Sequence, residues 1–119
     1  MSNTDSQPRV LVAGETLVDL VAPDAALATA EAFAPRVGGA PANVAAALAA
    51  LGERAALWTR VGADGFGDRC RSALADHGVP DEYVERDPDR VTTVAFAARE
   101  AAGDADLAFS FHRGADQYL

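Results

Sequence analysis

The sequence predicts an α/β fold in which a parallel sheet with helices is accompanied by a small, separate β-sheet. Two observations predict it. A strand–helix–strand–helix rhythm runs between Arg9 and His77, and such a rhythm implies parallel strands joined by crossover connections. After Pro80 the rhythm stops, and two apolar segments follow with a Gly103-Asp104 loop between them, which reads as a β-hairpin.

Taken in order, residues 1–8 are polar, include Pro8, and read as a flexible tail. Residues 9–13 form an aliphatic run ending at Gly14, as in a buried strand. A second strand is expected over 16–21, continuing from the first and stopping before Pro23. Residues 32–37 read as a short extended piece that Pro35 keeps from a central position. The clearest helix is 41–51. Pro41 suits its first turn and Gly52 its end, while Val44, Leu48 and Leu51 share one face. A strand over 55–61, containing Trp58, leads through Gly62-Ala63-Asp64-Gly65 into a helix over 66–77 that Gly78 and Pro80 terminate. Residues 81–90 read as an acidic loop, and 91–100 and 107–112 as the hairpin strands. That hairpin is expected to pair with 32–37. The implied division is an α/β core portion of 9–31 and 38–80, with a β lid of 32–37 and 88–113.

Composition excludes several classes. The 119 residues carry 18 acids and 10 bases, for a net charge of −8. Every base is Arg, there is no Lys or Ile, and about a quarter of the chain is Ala. An acidic surface disfavours nucleic acid and anionic membranes, and the pattern is the one expected of a halophilic, GC-rich source. No apolar run has the length of a membrane span, and the N-terminus lacks the features of a secretory signal. A cytoplasmic location is therefore expected. The single cysteine, Cys70, cannot form an internal disulfide and reads as core or surface filler.

The strongest chemical signal is Gly38-Gly39-Ala40-Pro41-Ala42-Asn43. Paired glycines before a helix let backbone approach a ligand closely, and free N–H groups at the helix entrance offer donors to ligand oxygens. Asn43 adds a donor and an acceptor, as a sugar hydroxyl requires. A tight strand-to-helix turn without a ligand would show the same bare Gly-Gly. The wider spacing is more specific. Gly-Gly, Asn43, Gly52 and Gly62, with Gly14-Glu15-Thr16-Leu17-Val18-Asp19 before them and Thr92-Thr93-Val94-Ala95-Phe96 after, resemble the first signature of the ribokinase-like (PfkB) carbohydrate kinases. The likeness runs from Arg9 onward and is closest to fructokinase and 2-keto-3-deoxygluconate kinase members.

What the resemblance implies is the N-terminal part of a three-layer ribokinase-like fold, with a parallel sheet and a β-sheet lid. It also implies a sugar pocket in which Asp19 accepts hydrogen bonds from substrate hydroxyls, beside Gly38, Gly39 and Asn43. Arg113, in Phe109-Ser110-Phe111-His112-Arg113-Gly114, is a further candidate contact, because a guanidinium pairs bidentately with a sugar acid's carboxylate. Phe111 is expected to pack against the lid, His112 to sit at its edge, and His77 to end its helix. The family's ATP- and Mg2+-dependent phosphoryl transfer relies on a Gly-Ala-Gly-Asp-type motif in the C-terminal half. No such motif occurs in a suitable place in this sequence. The catalytic groups are therefore expected C-terminal to Leu119, no residue here is assigned to catalysis, cofactor or metal, and 1–119 is expected to be inactive alone. The resulting expectation is the sugar-binding and lid half of a fructokinase-like enzyme. Its alternatives are part of a 2-keto-3-deoxygluconate kinase, or a non-catalytic module that dimerises through its lid strands.

Overall fold

The computed structural model describes residues 7–101, 103 and 105–119. Apart from Gln7 and Pro8, the expected tail lies outside them, as do Ala102 and Asp104 of the hairpin loop. The elements, in order, are β1 (Val10–Ala13), β2 (Leu17–Ala26), β3 (Ala34–Gly38), α1 (Ala40–Ala50), β4 (Ala55–Gly62), α2 (Gly65–Asp76), β5 (Val84–Asp87), β6 (Val94–Arg99) and β7 (Ala108–His112). A 3-10 turn over Ala115–Tyr118 closes the chain.

Two sheets form. One is three-stranded in the order β1-β4-β5, and both of its pairings are parallel. The other is four-stranded in the order β3-β2-β6-β7. Within it β2 runs parallel to β6, and the β2–β3 and β6–β7 pairs are antiparallel. The parallel core sheet and the 94–112 hairpin are as the sequence predicts.

Three features differ. First, β2 does not extend the core sheet; it joins the second sheet and continues through Pro23 to Ala26, with a register shift after Ala22. The segment 9–31 is thus divided at Gly14, whose N–H still bonds Trp58 O while the chain turns away. Second, the hairpin pairs with β2 rather than with β3, so β3 occupies the opposite edge. Pro35 accordingly sits on an edge strand, where its missing N–H matters least. Third, the supposed acidic loop contains β5. Its residues are mostly charged because it is an edge strand, anchored by one inward apolar side chain, Val84. On the other face, Arg60 of β4 reaches Glu85 at 3.4 Å and Asp87 at 3.6 Å.

Helix α1 is oriented differently from its apolar spacing. Val44 is 51 % exposed and Leu51 85 %, while Ala42 and Ala45 are buried against the sheet. Small side chains let the helix axis approach the strands, and that gain outweighs the larger residues' preference for cover. The core is shared between both sheets: Val18 of β2 packs in one cluster with Leu57 and Val61 of β4, Cys70 and Leu74 of α2, and Val84. Burial pushes the Cys70 thiol up to about 11, which fits a packing residue and not a nucleophile.

Asp64 ties the layers together. As N-cap of α2 it accepts from Gly67 N–H at 2.8 Å, and also from Thr92 N–H at 3.0 Å and Thr92 Oγ1 at 2.7 Å. Burial pushes its carboxyl up, but the Thr92 and Gly67 donors outweigh that and hold it below the ordinary value of 3.8. The stability it supplies is therefore complete above pH 3.8 and is lost as pH falls through its lower folded value. Asp64→Ala is expected to cost about 2 kcal/mol at pH 7. In urea titrations the gap between variant and wild type should close below pH 3.8; a gap independent of pH would exclude the ionic contribution.

Candidate functional site

The site is built where β1, β2, β3 and α1 meet. Gly14 ends β1, and Glu15 and Thr16 carry the chain into β2. Thr16 is buried, and its hydroxyl donates to Gly38 O at 3.3 Å. That bond holds the end of β3 against the start of β2, in register with the Leu17–Gly38 pair. Two pairs further along, past Val18–Val37, Asp19 stands opposite Arg36.

The two glycines have different reasons for being glycine. A Cβ on Gly38 would lie 3.0 Å from Asp19 Oδ2, so the carboxylate rests directly over this backbone. Gly39 adopts φ +104°, and a Cβ there would lie 2.8 Å from the Glu15 carbonyl oxygen. Any L side chain would be both strained and obstructed. Gly39 is also the N-cap of α1, whose entrance has no side-chain cap; Asn43 N–H donates to Gly39 O at 2.9 Å. The Asn43 side chain is exposed.

Asp19 and Gly38 are therefore brought together, and Gly39 adjoins them through Glu15. Gly38 and Asn43 line a common cavity of about 230 Å³ together with Leu74 of α2 and His77, which follows that helix. Asp19 is not among the residues lining that cavity, so the cavity does not bring the acid and Asn43 together. Burial pushes the Asp19 carboxyl above its ordinary value of 3.8; the Arg36 charge opposes this and the Glu15 charge adds to it.

Arg113, just past β7, approaches the same corner. Its Nη1 donates to Glu15 Oε2 at 2.5 Å, joining residues 98 apart in sequence. The guanidinium also lies over the Phe111 ring, 4.4 Å from its centre. Phe111 itself stacks on Phe109, with ring centres 6.3 Å apart. Both rings are exposed on one face of β7, and Phe111 carries Arg113. His112 meets Phe96 edge-on at 5.3 Å, and His77 is the C-cap of α2.

Sequence reasoning missed Glu15, Thr16 and the Thr93–Asp116 contact. Thr93 Oγ1 donates to Asp116 Oδ1 at 2.6 Å and accepts from Gly114 N–H at 2.8 Å, which fixes the backbone beside Arg113. Glu15 carried a usable signal, an acid immediately after the strand-ending glycine. The pairing of Thr93 with Asp116 carried none, because it joins elements distant in sequence. Among the described residues, no three His, Cys, Asp or Glu side chains are grouped to hold a metal ion, and no helix is long and apolar enough to cross a membrane.

The arrangement offers a half-buried carboxylate, close-approach backbone and a helix entrance around one corner, a set of acceptors and donors suited to a polyhydroxylated ligand. A sequence profile described as pfkB family carbohydrate kinase matches residues 7–119. Fructokinase-1 of Oryza sativa subsp. japonica is 42 % identical over 108 residues, covering 89 % of this chain and 33 % of the rice protein. The fructokinase structure from Halothermothrix orenii superposes with a TM-score of 0.81 at 30 % identity, over 92 % of this chain and 39 % of that one. An ATP-bound fructokinase from Xylella fastidiosa gives 0.78 at 35 % identity, over 92 % and 35 %. A double mutant of the Vibrio cholerae fructokinase, with fructose, ADP and potassium ion bound, gives 0.74 at 35 % identity, over 94 % and 34 %. The chain spans about a third of the length of the curated relatives it matches.

Proposed function

This chain belongs to the pfkB family of carbohydrate kinases, and from that premise we propose that it forms the sugar-binding and lid portion of a fructokinase. The parent reaction is transfer of the γ-phosphoryl group of ATP to a hydroxyl of fructose. The observation that carries the reading is the Asp19 carboxylate lying over Gly38 where β3 hands over to α1. In that position a carboxylate can accept from two neighbouring sugar hydroxyls, while the Gly39–Asn43 turn supplies further polar groups. Each charge-assisted bond contributes roughly 1.5–3 kcal/mol. Asn43 then contacts the sugar from the α1 side. In this reading β3, β2, β6 and β7 act as the lid and the β1-β4-β5 sheet with α1 and α2 as the core.

Phosphoryl transfer is assigned to no residue of 1–119. Calorimetry on the chain is expected to show saturable fructose binding, with no ATP-dependent formation of a sugar phosphate in a coupled assay. Absence of fructose binding overturns the sugar-site reading. Turnover by 1–119 alone overturns the assignment of catalysis elsewhere. The sugar-acid alternative is disfavoured by one contact: the arginine available to a substrate carboxylate is already engaged by Glu15.

A further inference from the structure

Resting on that sugar-binding reading, we propose that Thr16 is a positioning residue: its buried hydroxyl fixes the Gly38–Gly39 peptide so that the Gly39 N–H is presented beside the Asp19 carboxylate. Thr16 is 0 % exposed and cannot touch a ligand itself. Its hydroxyl donates to Gly38 O at 3.3 Å, from the start of β2 to the last residue of β3. A hydroxyl has a single proton to give. Its other neighbour, the buried Cys70 thiol of α2, is kept protonated by burial and takes none. The proton is committed to Gly38. Gly38 in turn lines the cavity that it shares with Asn43, so the peptide that Thr16 sets borders that space.

The consequence lies on the other side of that peptide. In a trans peptide the C=O and the following N–H point in opposite directions, and this peptide is trans. With Gly38 O turned inward to Thr16, the Gly39 N–H is turned outward, on the edge side of β3, where Gly39 is half-buried. The strand ends at Gly38 and α1 begins at Ala40, so no helix bond fixes the plane between them. Glycine on both sides leaves its rotation with little steric restraint. The Thr16 hydroxyl supplies the restraint. Asp19 Oδ2 lies over Gly38, so an acceptor and a donor of set direction stand together, the two roles a sugar hydroxyl fills at once. Without the hydroxyl the plane is free, and ordering it when a sugar arrives lowers affinity.

The test compares Thr16→Val, which keeps the shape and removes the hydroxyl, with Thr16→Ser, which keeps the hydroxyl and removes a methyl group. Calorimetry on the full 119-residue chain uses D-fructose as the probe. Thr16→Val is expected to raise the fructose Kd at least about 10-fold, and Thr16→Ser to stay within about 3-fold of wild type. A folded Thr16→Val chain that binds like wild type overturns the proposal. So does equal weakening by both variants, because packing and not the hydroxyl would then be what matters. Should Thr16→Val fail to fold, Thr16→Ala against Thr16→Ser repeats the comparison, one hydroxyl apart. A second readout needs no ligand: the NMR resonances of the Gly38 carbonyl carbon and the Gly39 amide should move in Thr16→Val and hold in Thr16→Ser. Unmoved resonances in Thr16→Val overturn the positioning role. Wild-type chain that binds no fructose overturns the sugar-site reading instead, and the resonances distinguish the two failures.

Discussion

Asp19→Asn is expected to weaken fructose binding at least about 100-fold while leaving thermal stability unchanged or slightly raised. The substitution keeps shape and removes charge, so two charge-assisted bonds become neutral ones, a loss of about 3 kcal/mol. The stability arm has its own sign. Burial raises the Asp19 carboxyl above 3.8, with Arg36 opposing and Glu15 adding, so the ionised group works against the fold at neutral pH. That penalty disappears as pH falls through the raised value, and Asn removes it at every pH. Wild-type fructose affinity should correspondingly decline on acidification from a pH above 3.8, as the acceptor is protonated. Calorimetry and melting curves on the same samples check both arms. A variant that binds normally removes Asp19 from the site, and one that melts early makes it a structural residue.

Gly67→Ala is expected to destabilise the chain by about 3 kcal/mol, lowering Tm by roughly 10 °C, whereas Gly65→Ala, two residues earlier, should be neutral or stabilising by up to about 1 kcal/mol. Both lie in the first turn of α2, where helix propensity alone favours Ala. Their surroundings differ. A Cβ on Gly65 meets nothing within 4 Å, but one on Gly67 would lie 2.2 Å from Gly62 O, 3.0 Å from Thr92 Oγ1 and 3.2 Å from Val61 Cγ2. The obstacle is backbone at the end of β4, where Gly62 N–H is itself bonded to Thr92 Oγ1 at 2.9 Å, so it cannot shift without breaking the Asp64–Thr92 tie. Against a net stability of about 5–15 kcal/mol, the loss is large. Equal urea midpoints for the two variants would remove the packing argument.

Much of the architecture was legible in the residues because local physics decides it. Helices α1 and α2 are announced by Pro41, by the Gly62-Ala63-Asp64-Gly65 turn and by Gly52 and Gly78 beyond their ends. Strands β1 and β4 are runs of apolar residues bounded by glycine. The helix face was not legible. Val44 and Leu51 have the spacing of a buried stripe, yet the alanines face the sheet, since close approach of two backbones is a property of the pair and not of one segment. Strand β5 was hidden because an edge strand can be almost wholly charged when its partners are on another strand, as with Arg60 and Glu85.

At the site the division is similar. The paired glycines and Asp19 stand out in the sequence because close backbone approach demands particular residue types at fixed separations. The destination of Arg113 does not: its contact with Glu15 bridges 98 residues and exists only because β7 joins the sheet containing β2. The sequence by itself determined most of the helices and strands, where the chain turns and which turn requires glycine, since these follow from backbone sterics and capping within a few residues. Only the tertiary structure decided that β2 leaves the three-stranded sheet for the four-stranded one, that Asp19 rests over Gly38, and that Glu15 takes Arg113. Those outcomes depend on strand pairing and charge proximity between distant segments, which no local pattern of residues encodes.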